Sequence, residues 1–528
     1  MQQVILSSSR ELTINLEPLT QKVFLELGPP NMQNNQGDAD RIRETLYKTM
    51  EDLTPVDIPL QVLQYLPYTC RRGAWKVTAT LYCQENFCRI INIEPGDTRE
   101  SHWGLAADIG STTIVAYLID MNTGKIADTA SGYNEQAEFG EDILTRIQLA
   151  GENDKLLLLQ EAVVNSLNLL IRRLVEKNNL QQDQISALSI AGNTTMIHLF
   201  LGITPSNLCK TPYVPALNDP GMIEARDVNV DINKCGIIYC IPSIGSYVGG
   251  DVVADILVSE LYKHEEVSVL VDIGTNGEIV LGNKDWLVAC AGAAGPALEG
   301  GVAEAGMRAE EGAIIKVGLE AETKQVFFQT IGNKKPKGLC GSGLIDCISE
   351  LFLNGIIDRK GEFKEGYTSF TVVPAEETAH DQDIVITRND INNFIRTKGA
   401  VNTALEVLLE SVGLSLDDIS YFYAAGAFGN YINPESAVTI GLFPDLPLNK
   451  IIRLGNSAAE GARVALLSRE KREDVYDIAS KITYFELNAN KAFMDKFTSG
   501  LFLPHTDLDV YPTVKEKLIK RNLANPEG

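Results

Sequence analysis

The sequence predicts an α/β protein with two related lobes, preceded by a small α+β domain. From Gly104 onward, three consecutive strands are followed by alternating helices and strands, and this order occurs twice. Each lobe also carries Asp-Ile-Gly-Ser/Thr in the turn after its first strand. We therefore expect a front domain over 1–102 and a two-lobed domain over 103–528. Its parts are lobe I at about 103–265, lobe II at about 266–470 and a C-terminal segment over 471–528.

The front domain alternates short apolar runs with a turn-rich stretch of Gly, Pro and Asn. Its pattern predicts strands over 4–9, 11–18, 74–83 and 87–95 and helices over 38–53 and 59–66. His102 and Trp103 stand at the junction with the first lobe, where we expect them to pack rather than to catalyse.

Both lobes repeat one order of elements, which indicates two α/β units around a cleft. The first lobe predicts strands over 104–110, 112–120, 125–133 and 185–192 and helices over 139–150, 154–178 and 193–202. The second predicts strands over 268–274, 278–283, 286–292 and 419–426 and helices around 341–355 and 389–413.

Composition and charge restrict the function classes. The 528 residues include 46 Lys and Arg against 70 Asp and Glu, a net charge of −24. That excess repels nucleic acid and anionic lipid. No apolar run is long enough to span a membrane, and the first residues lack a signal peptide's basic end and apolar core. We expect a cytoplasmic protein with no nucleic-acid or membrane partner.

Nine cysteines in so long a chain predict free thiols rather than a disulfide scaffold. Cys83 with Cys88 and Cys235 with Cys240 have the C-x4-C spacing that opens a plant-type iron–sulfur motif. The next ligand is absent in both places, where Ile91 and Ser243 stand. We therefore expect buried strand residues and no iron–sulfur cluster in this chain.

The two Asp-Ile-Gly-Ser/Thr turns contain the candidate phosphate-binding and catalytic residues. Asp108, Gly110, Ser111, Thr112 and Thr113 form the first, and Asp272, Gly274, Thr275, Asn276 and Gly277 form the second. Glycine admits an anion close to the backbone, and successive N–H groups and hydroxyls donate to phosphate. Each aspartate could hold Mg²⁺ or orient a nucleophile. One such turn is also an ordinary hairpin sequence, so the prediction rests on there being two.

Other glycine-rich turns fit the remainder of a nucleotide site. Residues 424–430 could admit an adenosine or could serve close strand–helix packing. Residues 191–195 could cap a helix or position water, and Asp251 fits a helix cap better than a base. Cys340 and Cys347, in the turn and helix after 338, are expected to be buried. Neither a Walker loop nor a G-x-G-x-x-G fingerprint is present.

Longer stretches carry a family resemblance: GLAADIGSTTIVAYLID, FGEDILTRI, AGNTTMIHLFLG, VDIGTNGEIVLG, GPALEGGVAEAGMRAEEGAI, LCGSGLIDCISELF and AAGAFGNYI. They resemble the ATP-dependent reductive activators of corrinoid proteins, within the actin, sugar kinase and Hsp70 ATPase superfamily. The resemblance implies a duplicated ribonuclease H-like, actin/Hsp70-type ATPase domain, with a linker and a small middle domain over 1–102. It also implies reduction of a corrinoid protein from cob(II) to cob(I) at the expense of ATP.

The resemblance assigns roles to the predicted turns, with ATP and Mg²⁺ as cofactors. Asp108 and Asp272 are the implied catalytic and metal-binding residues. Phosphate contacts fall on Gly110 to Thr113 and on Gly274 to Gly277, and adenosine contacts on Gly426, Ala427, Phe428 and Gly429.

The resemblance also implies partners: a corrinoid protein as methyl carrier and a second copy of the chain. This sequence departs from the family by lacking a four-cysteine ferredoxin motif, so we expect either that the chain is a fragment of a longer iron–sulfur protein or that a separate ferredoxin-type donor delivers the electron. No short motif marks the corrinoid-contacting surface.

Two alternatives stay open from the turns alone. One is a metabolite kinase, which needs a carboxylate base such as Asp251, Glu278 or Glu299. The other is a non-enzymatic ATP switch that binds a partner protein.

Overall fold

The computed structural model describes residues 12, 14–50, 55–140, 142–152, 154–274, 277–292, 303–426, 431–487, 491–521 and 523. The strands of these residues, numbered β1 to β21, are Gln21–Glu26, Val56–Asp57, Lys76–Gln84, Phe87–Pro95, Trp103–Ile109, Thr113–Asp120, Ile126–Tyr133, Ile185–Ala191, Ile223–Glu224, Ile237–Cys240, Ser268–Asp272, Glu278–Gly282, Leu287–Ala291, Ala313–Leu319, Val326–Thr330, Gly338–Leu339, Ser369–Val373, Ile384–Thr387, Tyr421–Ala425, Ile451–Gly455 and Ile482–Tyr484.

The α-helices of the same residues, numbered α1 to α13, are Asp38–Thr49, Leu60–Arg72, Ile143–Ala150, Lys155–Lys177, Thr194–Phe200, Gly250–Ser259, Gly341–Leu353, Arg388–Ser411, Pro434–Thr439, Ser457–Leu467, Arg469–Lys481, Lys491–Gly500 and Pro512–Lys520. In the part of the chain that the structure describes, no helix is both long and apolar enough to span a bilayer.

The chain divides into two compact units. One holds Leu12–Ala254 and Ala458–Ala479, and the other holds Asp255–Ser457 and Ser480–Gly528, taken over the described residues. The first unit therefore contains the front module together with the first six-stranded sheet, and the second contains the other six-stranded sheet.

The front module is a four-stranded sheet in the order β1-β3-β4-β2, with α1 and α2 beside it. The predicted strand pair and both predicted helices are present. The predicted strand over 11–18 is wrong for its described residues, and the first strand is Gln21–Glu26 instead. The segment before this strand forms hydrogen bonds with a helix end instead of with a sheet. The N–H groups of Glu17 and Leu19 donate to the carbonyls of Leu467 and Leu466 at the end of α10. The predicted strand over 4–9 lies outside the described residues.

An ion-pair network joins the front module to the sheet that follows it. Arg89 of β4 donates from Nε to Asp57 at 2.7 Å and also pairs with Glu224 of β9. Arg226 holds the other oxygen of Glu224 at 2.9 Å. Because Glu224 is only 6% exposed, removal of Arg89 would leave a poorly compensated buried carboxylate.

The first unit's six-stranded sheet has the order β7-β6-β5-β8-β10-β9. Strands β5, β6 and β7 are antiparallel neighbours, whereas β8 runs parallel to β5 and β10 parallel to β8. Leu105, Ala107 and Ile109 alternate along β5 and are fully buried, and Leu167 and Ile171 of α4 belong to the same core. The sheet is thus fixed against α4 by alternate residues of its central strand.

The second unit repeats this arrangement. Its six-stranded sheet has the order β20-β19-β11-β12-β13-β21, with β11, β12 and β13 antiparallel and β19 and β20 parallel to β11. In each sheet the first strand therefore lies between its hairpin partner and a parallel strand reached after helices. This repetition confirms the predicted duplication of an α/β lobe.

The expectation of free thiols is wrong for one pair of cysteines. Cys83 and Cys88 lie on the predicted strands, but the β3–β4 register places them opposite each other and they form a disulfide. Sequence reasoning missed this because it weighed spacing for metal ligands and not hairpin register. Cys340 and Cys347 are buried as expected, and burial raises the pKa of the Cys347 thiol to about 12.

Candidate functional site

The first predicted phosphate turn connects β5 to β6. Asp108 lies near the end of β5, and the turn closes where the Gly110 N–H donates to the Thr113 carbonyl at 3.0 Å. A Cβ on Gly110 would lie 2.7 Å from that same carbonyl oxygen. Only glycine fits there without a shift of the backbone.

Three backbone carbonyls of this turn accept hydrogen bonds from Asn134 and Arg146. Asn134 donates from Nδ2 to the Gly110 carbonyl at 3.0 Å and from its backbone N–H to the Thr112 carbonyl at 2.9 Å. Arg146 donates from Nη1 to the Ser111 carbonyl at 2.6 Å. The carbonyl and N–H of a trans peptide point to opposite sides. The N–H groups that follow these carbonyls consequently point away from Asn134 and Arg146, which is the arrangement of an anion-binding nest.

One further turn of the first unit meets the end of β5. Asp108 is in register with Ala191 of β8, and a Cβ on the next residue, Gly192, would lie 3.0 Å from the Ile109 carbonyl. Asn193 then caps α5, with its Oδ1 accepting the Met196 N–H at 2.9 Å. The alternative that residues 191–195 form a helix cap is therefore confirmed for Asn193.

Asp251 lies at the same edge of this sheet. Its N–H is 3.4 Å from the Gly192 carbonyl, and Gly249 approaches Asn193 so closely that a Cβ would stand 2.4 Å from the Asn193 Cα. The Asp251 carboxylate accepts the Val252 N–H at 2.8 Å within the first turn of α6. Burial nevertheless raises the pKa of Asp251 to about 6. Asp251 therefore lies beside the turn over residues 191–195.

The second predicted turn connects β11 to β12. Asp272 ends β11 and Gly277, with φ of +73°, precedes β12. The Gly277 carbonyl accepts the Gly292 N–H at 3.0 Å. Thr275 and Asn276 lie outside the described residues. Glu278, a candidate base of the kinase alternative, is buried at the start of β12, and Glu299 lies outside the described residues.

The predicted adenosine turn begins beside the second phosphate turn. Gly426 follows β19 with φ of +96°, and a Cβ there would lie 3.0 Å from Oδ1 of Asp272. The Ile273 N–H donates to the Ala425 carbonyl at 3.1 Å. The structure thus brings Asp272 and Gly426 together. Ala427, Phe428 and Gly429 lie outside the described residues.

Sequence reasoning missed Asn134 and Arg146. Arg146 belongs to FGEDILTRI, a stretch that carried the family resemblance but received no role. Asn134 had no motif to mark it, since its partners are backbone carbonyls of residues 110 and 112. Only the fold reveals that both side chains support the first turn.

Three family models match consecutive regions of the chain. They are the RACo linker region over residues 9–100, the RACo middle region over 103–264 and the C-terminal domain of RACo, the ASKHA domain, over 266–515.

Named relatives agree with these matches. The chain is 34% identical over 429 residues to the corrinoid activation enzyme RamQ of Eubacterium limosum, covering 78% of this chain and 72% of the relative. It is 25% identical over 418 residues to the [Co(II) methylated amine-specific corrinoid protein] reductase of Methanosarcina barkeri, covering 72% and 73%.

A solved structure, the reductive activator for corrinoid,iron-sulfur protein, superposes with a TM-score of 0.87 at 40% identity. The superposition covers 97% of this chain and 83% of that one. With its duplicated sheets and its matches in all three regions, the chain belongs to the RACo family of corrinoid reductive activators.

Proposed function

We propose that this chain is an ATP-dependent reductive activase that returns a corrinoid protein from cob(II) to cob(I). The observation that carries the proposal is kinship with corrinoid activators along nearly the whole chain. The paired turns support the proposal, because each has an aspartate at or near a strand end and a glycine after it. Family membership thereby favours the activase over the metabolite kinase and the non-enzymatic switch.

The proposed reaction has two parts, hydrolysis of ATP and a one-electron reduction of the corrinoid. Water attacks the γ-phosphoryl group of ATP to give ADP and phosphate, and one electron reduces cob(II) to cob(I). A ferredoxin-type donor on a separate protein is our proposal for the electron source. Coupling requires that nucleotide state alters the interaction with the corrinoid protein, because ATP shifts the reduction only through a differential interaction of that kind.

We propose a role for each of the predicted turns. In the first unit, the N–H groups of Ser111 to Thr113 are proposed to donate to phosphate. In the second, Asp272 and Gly274 to Gly277 are proposed to face phosphate, and Gly426 to Gly429 to face adenosine. Magnesium bound with a nucleotide usually takes one or two carboxylates beside phosphate oxygens and water. Asp108 and Asp272, each at a strand end, fit that donor set, and we propose both as contacts of Mg·ATP.

We further propose a homodimer, as the family resemblance implies, acting in the cytoplasm on a corrinoid protein partner. Sedimentation of the purified chain tests the first of these directly. A monomer at micromolar concentration would count against the homodimer.

The test of function is anaerobic reduction of a cob(II)-state corrinoid protein, followed by visible absorbance of cob(I). A low-potential reductant supplies the electron, and reactions run with Mg·ATP, with a non-hydrolysable analogue and without nucleotide. We expect cob(I) only with Mg·ATP, together with faster ATP turnover when the corrinoid protein is present. ATP turnover unaffected by that protein, with no cob(I) formed, would refute the activase.

A further inference from the structure

Arg146 is a completely buried cation beneath the first phosphate turn. Its side chain is 0% exposed on α3, where Nε donates to the Gly140 carbonyl at 2.8 Å and Nη1 to the Ser111 carbonyl at 2.6 Å. Nη2 is also buried, and among the described residues it has no hydrogen-bond partner. The guanidinium therefore keeps N–H donors on Nη2, and a positive charge, that its hydrogen bonds to the two carbonyls do not satisfy.

The charge of Arg146 is poorly compensated locally. Within the described ranges no carboxylate forms an ion pair with it, and Asp142, whose charge raises the pKa of Arg146, caps α3 through the Thr145 N–H at 2.8 Å. Burial lowers the pKa of Arg146 to about 10, so the group remains protonated at neutral pH. Burying a charge without an ion-pair partner is costly.

The contact with Ser111 fixes the direction of one peptide group. Because the Ser111 carbonyl points toward Arg146, the Thr112 N–H points to the opposite side. In the described part of the chain this N–H donates to no protein acceptor. Asn134 likewise donates to the carbonyls of Gly110 and Thr112, on either side of Ser111, and so fixes the direction of those peptide groups. Arg146 therefore holds the middle peptide of the nest and places a positive charge behind it.

We infer that Arg146 is a positioning residue for the phosphate of Mg·ATP, acting through the Ser111–Thr112 peptide and through its buried charge. The inference rests on the proposed function, since it takes ATP as the ligand of this turn. It explains how a chain with a net charge of −24 presents a local positive field to an anion.

The competing explanation is that Arg146 merely ties α3 to the turn. The chain offers a matched control in Arg41, which is 4% exposed and likewise donates to carbonyls, those of Gly28 and Asn34 at 2.9 and 3.0 Å. Its Nε is buried without a partner, as Nη2 of Arg146 is. Arg41 lies in the front module, far in sequence from either phosphate turn, so its loss tests the structural effect alone.

The experiment compares Arg146→Met, Arg146→Lys and Arg41→Met with wild type by calorimetric binding of Mg·ATP and of adenosine, alongside thermal unfolding. Loss of hydrogen bonds to a charged group predicts about 10- to 100-fold weaker Mg·ATP binding in Arg146→Met. Adenosine binding should stay within about twofold, because adenosine has no phosphate. Arg146→Lys keeps the charge and should lose about fivefold. Arg41→Met should lower the unfolding temperature and leave Mg·ATP affinity within about twofold.

Three results would overturn the inference: unchanged Mg·ATP affinity in Arg146→Met, equal losses for Mg·ATP and adenosine, or an equal loss in Arg41→Met. If Arg146→Met does not fold, Arg146→Lys decides, and wild-type affinity in that variant refutes the positioning role. The proposed function fails separately. A wild type that binds Mg·ATP but forms no cob(I) refutes the activase and leaves Arg146 to be judged by binding, whereas a wild type that binds no Mg·ATP overturns both.

Discussion

The α-carbon of Gly426 lies against the backbone of Ile273, so that a Cβ on Gly426 would stand 2.7 Å from the Ile273 carbonyl oxygen. That contact links the residue after β19 to the residue after Asp272. The predicted adenosine turn and the second phosphate turn are thereby held together by two strand ends. Any side chain at position 426 must move one of them.

Gly426→Ala should weaken Mg·ATP binding and also destabilise the protein. The φ of +96° is unfavourable for alanine, and the added methyl meets backbone that cannot rotate away. Backbone strain of this type costs about 1–3 kcal/mol. Calorimetric affinity and urea unfolding measure both effects. Gly318→Ala in β14 is the control, because no atom lies within 4 Å of its Cβ position. Equal behaviour of the two variants would remove the argument for Gly426.

Asp108→Asn and Asp272→Asn should each slow ATP turnover by about 10²-fold, since each removes a carboxylate charge that we place near Mg·ATP and leaves the volume unchanged. The half-saturating Mg²⁺ concentration should rise in both variants. The exposed Asp285 of the β12–β13 turn supplies the control substitution Asp285→Asn. Normal turnover and normal Mg²⁺ dependence in Asp272→Asn would exclude it from the site.

The paired turns could be predicted because their signal is local. Asp108 and Asp272 each end a strand and are followed by the glycine that a tight turn needs, so sequence periodicity and turn chemistry coincide. The duplicated order of strands and helices is also a local pattern, repeated. Family resemblance then supplied the nucleotide, which no single turn identifies.

The contacts that sequence reasoning could not predict are long-range or pass through backbone atoms. Arg146 binds a carbonyl 35 positions away, and the Glu17 N–H finds a carbonyl of residue 467. A carbonyl carries no residue identity, so no sequence pattern records such a partner. The Cys83–Cys88 disulfide depends on strand register, because β3 extends to Gln84, which pairs with Phe87 and so places Cys83 opposite Cys88. The predicted strands over 74–83 and 87–95 end one residue short of that register.

Asp251→Asn should stabilise the protein at neutral pH. Burial raises the folded pKa of Asp251 from 3.8 to about 6, so the unfolded chain ionises first. Between about pH 4 and pH 6 the wild type therefore loses stability as pH rises, and above that range it carries the full desolvation cost of the ionised carboxylate. The stability gained by the asparagine variant should grow across this window and then level off. Urea unfolding at intervals of half a pH unit measures it.

The same substitution should slow ATP turnover by about 10²-fold if Asp251 acts as a base toward the attacking water. Asp183→Asn, at an exposed position of the same unit, controls for general effects of charge. Turnover equal to wild type in Asp251→Asn, together with the predicted gain in stability, would show that the Asp251 carboxylate lowers stability and takes no part in ATP turnover.

Lys398 provides the last prediction, in the second unit. It is 0% exposed on α8, and its Nζ donates to the carbonyls of Gly500 at 3.0 Å, Phe502 at 2.7 Å and Pro504. Burial lowers the pKa of Lys398 from 10.5 to about 7, with Glu406 opposing the shift. Lys398→Met leaves these carbonyls without their donor, so the free energy of unfolding should fall by at least about 1–3 kcal/mol.

The pH dependence of that loss separates the hydrogen bonds of Lys398 from its charge. From about pH 7 to pH 10 the unfolded chain keeps a proton that folded Lys398 has released, so wild-type stability should rise relative to Lys398→Met. Lys364→Met, at an exposed lysine, supplies the baseline. A stability difference between wild type and Lys398→Met that stays constant over this range would mean that Lys398 is charged in the folded protein throughout, because only release of its proton makes the difference grow.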